Sequence, residues 1–205
     1  MAAATQSHRT SLAVWDVPST AVAGGRFTIK AGGKSSADCD LRGCRIEVRD
    51  AAGAVIGEGR LGETPWPDTR ALYWTELSLP APKTEGFATL SVRLQAKGIE
   101  PPHADAVSQF RLAIVRAPDH TLTVRIVEEA GMPIEGADIR LGPYRATTGR
   151  SGLATLRVCK GGYDLHIWKV GYEAPPRSLD IGADSLVEVA AVTMPEENAD
   201  RAWKM

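Results

Sequence analysis

The chain has 205 residues, 24% of them charged, and a formal net charge of −1. That near balance leaves no basic footprint for nucleic acid and no polybasic run for an anionic lipid surface. The longest apolar runs are strand-length, short of the roughly 20 residues a membrane-spanning helix needs, and the length fits one large or two small domains.

The opening segment, Met1 to Thr10, has neither a basic stretch nor an apolar stretch of leader type. It predicts a cytoplasmic protein, with export behind a leader outside this sequence as the alternative. No sustained helical period follows. Short alternating runs separated by Gly, Pro, Asp and Asn predict strands throughout. Leu12/Val14, Phe27/Ile29 and Ile46/Val48 each place two apolar groups on one face. Arg45, Glu47 and Arg49 fall on the opposite face. Asp50-Ala51-Ala52-Gly53 reads as a hairpin turn into a strand over 54–61. Tyr73/Thr75/Leu77/Leu79, Leu90/Val92/Leu94 and Phe110/Leu112/Ile114 continue the pattern. About seven strands in about 110 residues is an immunoglobulin-like count, without the Cys…Trp…Cys spacing of antibody domains.

Pro118, within Arg116-Ala117-Pro118-Asp119-His120, punctuates two strand runs. The chain therefore divides into an immunoglobulin-like β-sandwich over 1–117, a second β-sandwich over 118–195, and a polar tail over 196–205. In the second half Leu122/Val124/Ile126, Ala137/Ile139/Leu141, Leu156/Val158, Tyr163/Leu165/Ile167 and Val187/Val189/Ala191 supply the inward faces. The fold class is all-β, two tandem sandwiches.

The second half carries a further pattern. Gly131, Pro133, Ile134, Gly136 and Ala137 form one turn element, Thr148 and Gly152 a second, and Gly162-Tyr163 and Gly171-Tyr172 the last two. Pro fixes φ, and Gly admits positive φ in a tight corner. This order resembles the carboxypeptidase regulatory-like family, over about 119–194, with Gly149 where Asp is usual. The resemblance implies a seven-stranded prealbumin-like sandwich that supports or binds rather than catalyses. Two relatives with chemistry of their own do not carry over. Cna B domains form an internal Lys–Asn isopeptide, but the first strand here offers Arg125 and no lysine. Transthyretin-like hydroxyisourate hydrolases use His and Arg residues and a C-terminal Tyr-Arg-Gly-Ser, whereas here Tyr144-Arg145 lies in mid-domain.

Three cysteines argue against a secreted disulfide framework. Cys39 and Cys44 flank a short loop around Gly43 and fit either a local disulfide or free thiols. As half of a zinc site they lack two further ligands, since Cys159 and the histidines at 8, 103, 120 and 166 are scattered. His103 and Asp105 stand two apart with no second His or carboxylate nearby, and Asp38-Cys39-Asp40 lacks the longer acidic loop of a Ca²⁺ site. No metal and no cofactor is expected. No nucleophile elbow, phosphate loop or HExxH motif occurs, which predicts a protein that is not an enzyme.

The interaction candidates are aromatic. With Leu165 and Ile167 inward, Asp164, His166 and Trp168 share the outer face of one strand. An outward Trp calls for cover, from another domain or subunit, from a local loop such as Pro175-Pro176, or from a ligand. Trp66, held between Pro65 and Pro67, and Trp74 form a second group that either caps the core, anchors an interface or stacks on sugar. Tyr172, and Trp203 in the otherwise polar tail, complete the set. The function expected is a non-catalytic interaction or accessory subunit of bacterial type, docking on a larger protein partner or forming a homo-oligomer. A carbohydrate- or cell-envelope-binding module is the alternative, and a hydrolase with an interdomain site comes third.

Overall fold

The structure is a computed structural model that describes residues 7–194. Trp203 and the polar tail lie outside the described residues. The chain is all-β, and it divides into two compact units, Met1–Val115 and Arg116–Met205. Among the described residues no helix is long and apolar enough to cross a membrane.

The first unit contains β1 (Thr10–Trp15), β2 (Thr20–Val22), β3 (Arg26–Ser35), β4 (Arg45–Arg49), β5 (Val55–Arg60), β6 (Tyr73–Pro80), β7 (Gly86–Gln95) and β8 (Ala106–Val115). They form a three-stranded sheet, β1-β3-β6, and a five-stranded sheet, β2-β8-β7-β4-β5. Alternation buries one face of each. Phe27, Ile29 and Ala31 of β3 and Leu77 and Leu79 of β6 meet Ile46, Val48, Leu90, Val92, Leu94, Leu112 and Ile114 in one core. β2 is the strand that alternation does not reveal. It is three residues long and pairs parallel with β8, Thr20 opposite Ala113.

The hairpin between β4 and β5 is built by Asp50, whose carboxylate accepts from the Ala52 and Ala54 amides at 2.9 Å each. Glu47 is buried on the face opposite Ile46 and Val48. It is only 4% exposed, held between Arg45 at 3.2 Å and Arg49 at 2.8 Å. The Arg49 hydrogen bond, opposed by the loss of solvent and helped by Arg45, keeps its carboxyl below the ordinary range. Cys39, Cys44 and Cys159 are free thiols, so the loop around Gly43 is not bridged. Burial pushes the Cys44 thiol up.

The second unit contains β9 (His120–Glu128), β10 (Asp138–Leu141), β11 (Tyr144–Thr147), β12 (Leu153–Val158), β13 (Gly161–Trp168), β14 (Tyr172–Glu173), β15 (Arg177–Ile181) and β16 (Ser185–Thr193). Two four-stranded sheets result, β11-β10-β13-β15 and β12-β9-β16-β14. β16 pairs parallel with β9, from Ser185 opposite Leu122 to Ala191 opposite Glu128. Leu122, Val124, Ile126, Ile139 and Leu141 are fully buried, and Leu165 is 1% exposed.

The turn motifs of this unit interlock through Thr148. Its hydroxyl, in a residue 3% exposed, donates to the Ile134 carbonyl at 2.7 Å and accepts from the Ala137 amide at 2.8 Å. Its backbone exchanges bonds with Gly136 and Ala137. Gly152 sits at φ +70° with its α-carbon so near β9 that a Cβ would stand 2.5 Å from the Ile126 carbonyl oxygen. Only glycine meets both demands.

Candidate functional site

β13 carries the first group of interaction candidates. Leu165 points into the core, so Asp164, His166 and Trp168 emerge on the other face of the sheet. β10 runs antiparallel beside it, with Asp138 opposite Trp168 and Arg140 opposite His166. β11 adds Arg145 opposite Arg140. One cross-strand row therefore reads Arg145, Arg140, His166, and the next reads Thr147, Asp138, Trp168. Basic groups directly opposite one another repel, so this row costs the unit stability on its own.

The local bonds leave part of the face unused. Arg145 donates to the Gly142 carbonyl at 2.7 Å and to the Tyr144 carbonyl at 2.8 Å. Asp138 accepts from the Thr147 hydroxyl at 3.0 Å, and Asp164 from the Ser178 hydroxyl at 2.7 Å. Arg140 and His166 make no hydrogen bond or ion pair among the described residues. Trp168 is 63% exposed, so no described loop covers it, and Pro175 and Pro176 are themselves exposed. Asp138, Arg140, His166, Ile167 and Trp168 line an open groove of about 600 Å³. Val170, just beyond the strand, is 74% exposed.

Tyr172 does not belong to this face. It lies in β14, paired with β16 of the other sheet, and its hydroxyl donates to Glu128 Oε1 at 2.7 Å. That bond to a carboxylate raises the phenol above its ordinary range.

Trp66 and Trp74 come together on the first unit, with a partner that strand spacing does not reveal. Trp15 stacks edge-to-face on Trp66 with ring centres 5.1 Å apart, and Trp66 does the same on Trp74 at 4.9 Å. The three rings lie on the outer face of β1-β3-β6, not over the core, because Trp74 alternates with the inward Leu77 and Leu79. Gly32 makes the room. It stands opposite Trp74, and a Cβ there would come within 2.9 Å of the Trp15 ring. The Trp66 amide donates to the Leu72 carbonyl at 2.7 Å, folding the proline-flanked loop back onto β6. Lys30 sets its ammonium 5.3 Å from the Trp66 ring centre and 2.6 Å from Asp16. Interplanar angles of 81° and 84° give a herringbone, not the coplanar shelf on which a pyranose ring stacks.

A third cluster has no local signal in the sequence. His8, Cys39 and His103 bring their ligand-type atoms within 4.8 Å of one another. His8 Nδ1 is 3.2 Å from Cys39 Sγ, and the two imidazoles meet edge-to-face at 5.2 Å. His103 Nδ1 lies 2.6 Å from the Pro101 carbonyl and Nε2 lies 3.1 Å from Ser35 Oγ. The expectation that His103 has no second histidine nearby is thereby corrected. Ser35, His103 and a carbonyl have the connectivity of a nucleophile, base and orienting group. Ser35 is 1% exposed, however, and its oxygen also accepts from the Ala37 amide at 3.3 Å, so no substrate reaches it.

No protein-family model matches this sequence, and no curated protein sequence does. Among solved structures, the chain is similar to the Bacillus anthracis TIE protein, at 12% identity and a TM-score of 0.34, over 90% of this chain and 41% of that one. It is similar to BcpA, the major pilin subunit of Bacillus cereus, at 7% identity and a TM-score of 0.30, over 88% and 69%. It is also similar to fibronectin(III)-like modules of Clostridium thermocellum CbhA, at 11% identity and a TM-score of 0.33, over 86% and 94%. The chain spans less than half of the Bacillus anthracis protein. At TM-scores below 0.5 these likenesses carry no argument about what the chain does.

Proposed function

We propose that this chain is a non-catalytic interaction module whose second unit docks on a protein partner through the outer face of β10 and β13. The observation that carries this reading is the row Arg145, Arg140, His166 beside a Trp168 that is 63% exposed. An indole with neighbouring guanidiniums is the composition of an interface hot spot. The partner that fits is a protein surface offering an apolar pocket for Trp168 and a carboxylate for Arg140. Such a carboxylate would also relieve the repulsion along the basic row. The carboxypeptidase regulatory-like assignment of this unit rests on its turn motifs and agrees with a supporting or binding role.

A carbohydrate- or envelope-binding module is the second reading, because the exposed indole face of Trp168 also suits a sugar ring. Arg140, which makes no hydrogen bond or ion pair among the described residues, ranks it below an acidic protein surface. The deciding experiment captures partners on immobilised full-length chain, purifies the captured protein and measures its affinity for wild type, Trp168→Ala and Arg140→Glu. Loss of a hot-spot Trp weakens binding by roughly 2 kcal/mol or more, about 30-fold, and Arg140→Glu acts in the same direction with a weaker salt dependence. Unchanged affinity in both variants refutes the proposal. Binding to glycans that depends on Trp168 replaces it with the second reading.

A further inference from the structure

We infer that His8, Cys39 and His103 form a three-ligand site for a thiolate- and imidazole-binding transition-metal ion, Zn²⁺ in the first instance. Zn–S and Zn–N bonds of about 2.3 and 2.0–2.1 Å set the donors of a tetrahedral site roughly 3.5 Å apart. Cys39 Sγ and His8 Nδ1 are already 3.2 Å apart, and all three donors fall within 4.8 Å. Small side-chain rotations close the remainder.

The protonation of His103 is settled by its neighbours. The Pro101 carbonyl can only accept, so Nδ1, 2.6 Å away, carries the hydrogen. Nε2 then presents a lone pair, held at present by the Ser35 hydroxyl at 3.1 Å. A ligating imidazole whose other nitrogen donates to a backbone carbonyl is the arrangement that fixes tautomer and ring direction at metal centres. The backbone supports the rest. The His8 amide donates to the Pro102 carbonyl at 2.8 Å, and the Ala104 amide to the His8 carbonyl at 3.1 Å, clamping His8 beside His103. The Ser36 amide donates to the Arg9 carbonyl at 2.9 Å, which brings the loop of Cys39 to the same place.

All three ligands are half-buried, so an ion reaches them from solvent and keeps its fourth position for water. Two neutral imidazoles and one thiolate leave a net charge of +1 on a Zn²⁺ centre. The ion would tie the segment before β1 to the β3–β4 loop and to the segment before β8, three stretches that these backbone bonds already bring together. Binding is therefore coupled to the stability of the first unit.

The test uses reduced, chelator-stripped full-length protein, titrated with Zn²⁺ in a calorimeter and with Co²⁺ in a spectrophotometer. The expected result is one Zn²⁺ per chain, a raised unfolding midpoint, and a Co²⁺ spectrum with tetrahedral intensity and a thiolate-to-metal charge-transfer band. Cys39→Ser abolishes that band, His103→Gln weakens Zn²⁺ binding by at least about tenfold, and Cys44→Ser and Cys159→Ser bind like wild type. Zinc protection of Cys39 from alkylation in the wild-type chain gives the same answer without any substitution. Absence of stoichiometric binding, a band that survives Cys39→Ser, or one lost in Cys44→Ser overturns the site.

Discussion

Replacing Thr148 by valine should be among the most destabilising single changes in the second unit. Valine has the shape of threonine but not its hydroxyl. The hydroxyl joins two turns that are 14 residues apart, donating to Ile134 and accepting from Ala137, itself fully buried. Removing it loses two bonds and leaves the Ala137 amide unpaired away from water. An orphaned buried donor costs about 1–3 kcal/mol, and a lost bond about 1 kcal/mol more, so Thr148→Val costs about 3 kcal/mol. Thr148→Ser keeps both bonds and loses one methyl, for about 1 kcal/mol. Urea unfolding followed by indole fluorescence, with calorimetry to separate the two units, measures both. In a unit of this size about 3 kcal/mol lowers the melting temperature by roughly 12–24 °C. The reasoning is refuted if valine costs no more than serine, because the hydroxyl bonds would then contribute nothing beyond packing.

Acidification should destabilise the first unit through Glu47, whose carboxyl the Arg49 bond holds below its unfolded value. Its contribution is present above the unfolded pKa, about 4.3, and disappears as pH falls through the lower folded value. Glu47→Gln should flatten that part of the stability profile in urea titrations between acidic and neutral pH. Gly32→Val should expel the Trp15 ring from its place over β3, costing about 0.5–1.5 kcal/mol through lost aromatic pairing and changing near-ultraviolet dichroism; an unchanged spectrum counts against the herringbone. Under native, metal-free conditions Cys39 should be alkylated well before Cys44 and Cys159, both of which are buried. Three equally slow thiols, or a Cys39–Cys44 crosslink, would contradict the geometry.

What the sequence discloses follows from the range of the interactions involved. The half-buried strands announce themselves by period 2: β9 and β10 bury the residues that alternation assigns inward, while in β13 Leu165 is buried and Tyr163 and Ile167 are half-buried. β2 does not, since three residues cannot display a period. Alternation puts Glu47 on the face opposite Ile46 and Val48 but records no neighbours, and the arginines on either side bury it. The face of Asp164, His166 and Trp168 was local information, available from one strand. The basic row was not, because Arg140 and Arg145 become neighbours of His166 only through pairing across two strand boundaries. The cluster at Cys39 is further still from view. His8 lies 31 residues before it and His103 belongs to a different loop, so no spacing rule connects them. Trp66 and Trp74 were visible as a pair, but Trp15 joins them only because β1 lies against β3.

The parallel pairing of β16 with β9 has a consequence for the order in which the second unit is made. Its first strand is an inner strand of its sheet, and one of that strand's two neighbours is the last of the unit's described strands to be synthesised. Until residues 185–193 have emerged, the flank of β9 that receives them offers unmet amide and carbonyl groups to any passing extended chain. The unit thus cannot complete itself piecemeal during translation. A nascent or truncated chain ending before Ser185 would be an adhesive intermediate, one whose lifetime depends on how promptly the final strand arrives.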